Sequence, residues 1–491
     1  MKEIPFIILD DKNFKTPLYR QIYEAIRLGI LSGEYESEMR LPASRLLAKQ
    51  LGVARMTIIN AYEQLFAEGY LEGKTGAGTF VAAHLPEEFL QTSRTDSKTK
   101  THQPKRKIKL SDYGEKLTES DYAVWRSQRP SAFQPFQHGV PAIDKFPFEV
   151  WSKISQNVQK NPPPELFGYG EPAGFLPLRE AIAAHLQAAR GVNCTAEQII
   201  ITSGTQQAVD LIARVLLEPE DEIWMEEPCY PGARDIFASN GAKISHVAVD
   251  AEGFDVSKAQ KQSAARMVYV TPSHQFPTGV TMSLARRLSL LEWAGETDAW
   301  ILEDDYDSEY RYAGRPLASL QGLDRDGRVI YIGTFSKTIF PALRLGCLVA
   351  PPDLVKTFCA ARALSDVHSP TINQAILADF IADGHYARHL RRMRTLYETR
   401  QNCLIEAVKK HLGGVLEISK ADAGMHIIGW LPEGVKDDEI AQKAREINLN
   451  IAPLSNYCNR DFGRGGLIFG YTGFDEKQIE KGVKELAKVL I

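Results

Sequence analysis

The chain has 491 residues, of which 44% are hydrophobic and 24% charged, with a net charge of −4. That length exceeds one ordinary domain, and the near-balanced charge gives no overall attraction to nucleic acid or membranes. Any DNA contact must therefore come from a local patch. Six scattered cysteines without a CxxC pair argue for reduced thiols, against a disulfide framework, and against a bound metal. No apolar run approaches spanning length, and the opening "MKEIPFIILDDKNFK" carries acids unlike a secretory signal. A cytoplasmic protein with no membrane partner is expected.

In chain order, "TPLYRQIYEAIRLGIL" reads as an amphipathic helix with Leu18, Ile22, Ile26 and Ile30 on one face. A short helix over about Ala43–Gln50, the turn "LGV", and a helix over about Ala54–Glu68 follow. "YLEGKTGAGTFV" then alternates as two strands around a glycine tip. Helix, tight turn, helix and hairpin make a winged helix-turn-helix whose second helix suits a major groove.

The run "LP.SR.LA..LGV.R.T...AY..L...G.L....G.GTFV" resembles the GntR-type winged-helix domain of bacterial regulators over about residues 14–82. The resemblance implies that Arg45, Arg55, Thr57, Lys74 and Gly76 contact double-stranded DNA. GntR proteins often carry a further arginine in the recognition helix. Ile59 and Asn60 stand there instead, leaving Asn60 to read bases, or a more weakly bound site. Residues 1–82 hold ten Lys/Arg and ten Asp/Glu, so a few phosphate contacts give modest, salt-sensitive affinity and a dimer on two half-sites is needed.

Residues 83–125 read as a linker, because "LQTSRTDSKTKTHQPKRKIKLSD" is polar and lysine-rich. Its cluster Lys105, Arg106, Lys107 and Lys109 reads as a solvated charged face rather than a phosphate contact. Residues 126–491 alternate helical and strand-like runs. "LPLREAIAAHLQAARG" and "QQAVDLIARVLL" are helices, whereas "QIIITSG", "MVYVTPS", "AWILEDDY", "RVIYIGTFS" and "GCLVAP" are short strands. The alternation predicts an α/β domain with a largely parallel sheet and sites where strands end in loops.

Four features at such ends carry chemistry. "SGTQQAVDL" is a glycine turn opening a helix, whose free N–H groups favour a phosphate. "EEPCYPG" places Tyr230 where a ring can stack on an aromatic cofactor. "LEDDYDSEYRY" ends a strand in acids, which requires a cationic partner. "TFSKTIFPALR" supplies the amine of Lys337, two hydroxyls and Arg344. Together these are what pyridoxal 5′-phosphate requires: a Schiff-base lysine, an acid for the pyridine nitrogen, a stacking ring and a phosphate cradle.

Their order resembles the fold-type I aminotransferases over about residues 130–491. By position, the resemblance makes Lys337 the Schiff-base lysine, Asp304 the partner of the pyridine nitrogen, and Tyr306 the partner of the phenolic oxygen. Tyr230 would stack on the ring. Gly204, Thr205, Gln206, Thr334, Ser336 and Arg344 would hold the phosphate, with Tyr169 reaching that of a neighbouring subunit in an obligatory homodimer. The "DD" doublet alone does not choose between Asp304 and Asp305.

The chain departs from that family twice. "FPTG" puts Phe276 where the family's "NPTG" has asparagine. In "RGGLIFGYTG", Ile468 stands where the family has the arginine that clamps a substrate carboxylate, with Arg464 or Arg460 as nearby substitutes.

A GntR-type winged helix fused to an aminotransferase-like domain resembles the MocR/GabR regulators. That resemblance implies a pyridoxal-phosphate-dependent transcriptional regulator sensing an amine, an amino acid or pyridoxal phosphate through Lys337. The alternative is a working aminotransferase with an accessory DNA-binding domain. A third reading is a DNA-binding protein whose large domain has lost its cofactor.

Overall fold

Three isoleucines spaced four apart, Ile22, Ile26 and Ile30, build the first buried stripe of the chain, while Leu18 at the helix start stays 40% exposed. In the computed structural model, residues 16–74, 77–85, 109–127, 132–160, 162–314, 318–460 and 462–490 are described. They fall into two units, Met1–Ile108 and Lys109–Ile491.

The first unit has helices α1 (Leu18–Leu31), α2 (Ser44–Leu51) and α3 (Arg55–Ala67), then strands β1 (Leu71–Lys74) and β2 (Gly78–Val81). The α1 stripe packs with Leu47, Ile58, Leu65, Leu71 and Val81. Gly29 is needed in α1 because a Cβ there would overlap the ring of Tyr35. Gly52, at φ +67, ends α2 in the left-handed conformation and turns the chain into α3. β1 and β2 pair antiparallel, with Leu71 opposite Val81 and Lys74 opposite Gly78, forming the expected wing. Gly76 lies outside the described residues.

The second unit begins with α4 (Asp112–Glu119) and α5 (Asp121–Ser127). The sequence predicts a linker over residues 83–125, but Ser111 caps α4 by accepting from the N–H of Gly114. Ser120 and the backbone N–H of Tyr122 both donate to Asp235, at 2.6 and 3.3 Å. Tertiary contacts override the polar composition there. Lys105, Arg106 and Lys107 lie outside the described residues; Lys109 is exposed.

The main sheet comprises β3 (Ile199–Thr202), β4 (Glu222–Glu227), β5 (Lys243–Ala248), β6 (Met267–Val270), β7 (Trp300–Asp305), β8 (Val329–Thr334) and β9 (Gly346–Val349). Its order is β3-β9-β8-β7-β6-β4-β5, parallel except that β9 runs against both neighbours. Apolar residues cover both faces: Ile200, Met225, Tyr269 and Leu302 on one side, Trp224, Val268 and Ile301 on the other. Such continuously apolar strands belong to a sheet buried on both sides. This is the expected α/β architecture.

A second, antiparallel sheet holds β10 (Glu417–Ile418), β11 (His426–Trp430), β12 (Ala452–Pro453) and β13 (Gly466–Gly470), ordered β10-β11-β13-β12. Among the described residues no helix is long and apolar enough to cross a membrane.

Candidate cofactor site and DNA-reading surface

The parallel strands deliver their loops to one cleft of about 1310 Å³ that reaches across to β11. Gly204, at φ +102, ends the β3 turn and opens the helix Thr205–Leu216 without a side-chain cap, which leaves its first N–H groups for a ligand. The Arg344 guanidinium lies over that turn; a Cβ on Gly204 would sit 3.4 Å from it. Thr334 ends β8, and its hydroxyl accepts from the N–H of Ser336 at 3.2 Å. Thr205, Gln206, Thr334, Ser336 and Arg344 all line the cleft.

Lys337 follows one residue later, and its Nζ donates to the carbonyl of Gly139 at 3.2 Å. Gly139 stands at φ +71, and a Cβ there would overlap that nitrogen. A glycine is therefore required for the amine to reach its place.

The acidic doublet separates cleanly. Asp305 turns to Arg190 at 2.8 Å, and its Oδ2 also accepts from the hydroxyl of Tyr331 at 2.8 Å. Asp304 instead lines the cleft, accepting one bond from Tyr269 at 2.5 Å. Burial raises its carboxyl to about 7; the Tyr269 bond opposes this and the Asp305 charge adds to it.

Tyr230 receives a hydrogen bond from Gln206 Nε2 at 3.0 Å, and its hydroxyl lies 2.8 Å from that of Tyr122 on α5. The Tyr306 hydroxyl lies 2.8 Å from His274 Nδ1, which is also 3.1 Å from Asp307. His274, Asp307 and His426 gather potential ligand atoms within 4.8 Å of one another. Asp307 and Tyr306 engage His274 Nδ1, and His426 Nε2 lies 3.0 Å from the Pro277 carbonyl. The group reads as a hydrogen-bond network beside the cleft. Tyr169 is 93% exposed and is not among the residues lining the cleft of its own chain.

These residues fit pyridoxal 5′-phosphate on a direct test. Among the described residues, Asp304 Oδ1, Ser336 Oγ and Gln206 Oε1 are buried without a hydrogen-bond partner. Buried polar atoms of this kind are costly unless satisfied. A protonated ring nitrogen answers the first, and a phosphate beside the Gly204 turn answers the hydroxyl of the second.

Sequence reasoning missed Tyr122, Tyr269 and the histidines 138, 274 and 426. Only Tyr269 left a trace: β6 and β7 pair Tyr269 with Leu302, which puts it on the face of Asp304 two residues on. That inference needs the register, which the sequence does not supply.

In the first unit, Arg45, Arg55 and Asn60 are exposed and Thr57 is half-buried. Neither α2 nor α3 has a side-chain cap at its start, so both open N-termini can meet phosphates. Arg55 Nε donates to Ser44 Oγ at 3.3 Å, tying the starts of the two helices together. Lys74, expected to contact DNA from the wing, has acidic neighbours. Its Nζ lies 3.3 Å from Glu38 and 3.7 Å from Glu72, carboxylates that offset its charge. Arg55→Ala is expected to lower DNA affinity about tenfold and flatten the salt slope by about 1, whereas Lys74→Ala changes little. Fluorescence anisotropy across a salt series measures both.

The family described as "Bacterial regulatory proteins, gntR family" matches residues 18–81, and "Aminotransferase class I and II" matches residues 136–482. The chain is 39% identical over 483 residues to the probable rhizopine catabolism regulatory protein MocR of Rhizobium meliloti, covering 98% of this chain and 95% of that one. It is 30% identical to the pyridoxine biosynthesis transcriptional regulator PdxR of Corynebacterium glutamicum, covering 96% of each chain. Pyrococcus horikoshii kynurenine aminotransferase superposes with a TM-score of 0.68 at 29% identity, over 78% of this chain and 95% of that one. The chain therefore belongs to the MocR-type transcriptional regulators, in which a GntR-type DNA-binding domain is joined to an aminotransferase-like domain whose cofactor is pyridoxal 5′-phosphate.

Proposed function

We propose that this regulator senses a primary amine, an amino acid or pyridoxal phosphate itself at Lys337, and acts as a homodimer in the cytoplasm. The carrying observation is the convergence of Lys337, Asp304 with its unpartnered oxygen, Tyr230 and the Gly204 turn on one cleft. When bound, pyridoxal phosphate supplies an aldehyde carbon that forms reversible carbon–nitrogen double bonds with primary amines. Lys337 holds its Nζ on the Gly139 carbonyl, Asp304 would provide the anion for the ring nitrogen, and Tyr230 would flank the ring. Gly204, Thr205, Gln206, Thr334, Ser336 and Arg344 would hold the phosphate. Tyr306, bonded to His274, would meet the phenolic oxygen.

Two features support a dimer. The exposed rings of Tyr169 and Phe167 and the side chain of Leu364 are large apolar groups left uncovered on one chain. The neutral DNA-reading unit also gains affinity by binding two half-sites. Ligand binding alters transcription only if the ligand prefers one arrangement of the large domains over another. The PdxR relative, named for pyridoxine biosynthesis, keeps pyridoxal phosphate among the ligands.

Turnover as an aminotransferase is favoured by the likeness to the kynurenine enzyme. Against it stand Phe276 and Ile468 at the two positions where the aminotransferases have asparagine and arginine. The test is DNA binding by the cofactor-loaded protein with and without ligand, alongside a keto-acid assay of the same sample.

A further inference from the structure

Phe276 and Ile468 are far apart in sequence, yet they pack in one apolar cluster with Ile428, Ala452, Leu454 and Tyr457. Ile468 is wholly buried within it, so hydrocarbon fills the place of the arginine clamp. Among the described residues, neither of the two arginines nearest in sequence restores the charge. Arg464 donates to the Leu431 carbonyl at 2.7 Å and to Glu417 at 2.8 Å, and neither it nor the exposed Arg460 lines the cleft.

Among the described arginines that do line it, Arg344 lies over the Gly204 turn and Arg234 is paired with Asp235 at 2.9 Å. Arg126 and Arg445 are exposed. An exposed guanidinium repays little of the cost of drying a carboxylate.

Phe276 is instead the hub of an aromatic wall. Its ring centroid lies 5.3 Å from that of Tyr457, 5.5 Å from His426 and 5.9 Å from His138. Burial, followed by the neighbouring His274 and His138, pushes the His426 imidazole well below its ordinary range, so it stays uncharged. A carboxylate brought in by a ligand meets an apolar and uncharged surface there.

We propose that the ligand captured at Lys337 is a primary amine with no carboxylate on its α-carbon and an uncharged substituent, seated against Phe276, Tyr457, His138 and His426. The imidazoles and the Tyr457 hydroxyl offer hydrogen bonds to neutral polar groups, and the Phe276 ring offers an apolar face. This deepens the sensing reading and rests on amine capture at Lys337.

The full-length, pyridoxal-phosphate-loaded protein is titrated with matched pairs: phenethylamine against L-phenylalanine, and ethanolamine against L-serine. The cofactor's near-visible absorbance and the heat of binding are followed independently. Each amine is expected to bind at least about tenfold more tightly than its carboxylated partner, the equivalent of about 1.4 kcal/mol. Amino acids that bind as tightly or more tightly overturn this inference and leave amine capture at Lys337 standing. Absence of any response to all four compounds overturns amine capture at Lys337, and this inference with it, and leaves pyridoxal phosphate itself as the ligand. In Ile468→Arg the ratio is expected to fall at least about tenfold, and an unchanged ratio in the folded variant also contradicts the assignment. Should that variant fail to fold, the wild-type comparison decides alone.

Discussion

Lys337→Ala is expected to abolish the cofactor's absorbance change with amines, and with it any ligand-dependent change in DNA binding, while the fold survives. The side chain is only half-buried, and it donates to the Gly139 carbonyl, which faces the cleft and can turn to water. Removing it opens no core cavity but takes a favourable positive charge from the buried Asp304, so stability should fall by about 1 kcal/mol. DNA affinity without ligand should also persist, because the GntR-type unit, with Arg45, Arg55 and Asn60 on α2 and α3, has its own apolar core. Thermal unfolding, absorbance titration and anisotropy on one preparation separate these effects. A variant that still responds to amines would remove Lys337 from the signal.

Asp304→Asn is expected to weaken pyridoxal phosphate binding by between about thirtyfold and a few thousandfold. That range corresponds to about 2–5 kcal/mol for removing one partner of a buried charge pair. The amide keeps the shape and can still meet Tyr269, but it carries no charge to hold a proton on the ring nitrogen. Equilibrium titration with the cofactor measures the loss.

The cofactor-free protein gives an independent reading of the same group. Burial raises its pKa from 3.8 to about 7, so the folded state holds this proton more tightly than the unfolded chain. Its contribution to stability is present at low pH and is lost as the pH rises from about 4 through about 7. Asparagine has no such loss. The stability of Asp304→Asn relative to wild type should therefore increase with pH across that window, which urea denaturation at a series of pH values would reveal.

Much of this was legible because strand-forming runs and loop chemistry are local. Five short β-rich runs announced the sheet, and the glycine turn at Gly204, Tyr230, the acidic doublet and Lys337 each stood at a strand end. What the sequence hid depends on contacts between distant segments. The doublet does not say which acid faces the cleft; Arg190 and Tyr331, which engage Asp305, are decided by packing. The polar composition before residue 126 looked like linker, yet α4 and α5 form because Ser120 and Tyr122 find Asp235. That Glu38 stands beside Lys74 is likewise decided by the fold. Phe276 and Ile468 read as two unrelated departures from the aminotransferase pattern, and only the tertiary structure makes them neighbours.

The central claim is that ligand capture in the large domain is read out as a change in DNA binding. It is tested most directly by titrating the cofactor-loaded protein onto a DNA fragment it has selected from a random pool. The titration is run with and without an amine that changes the cofactor's absorbance, and keto acid is assayed in the same samples. A shifted binding midpoint is expected in wild type, with no shift in Lys337→Ala and no sustained keto-acid production. An unmoved midpoint with keto acid accumulating turnover after turnover would contradict it.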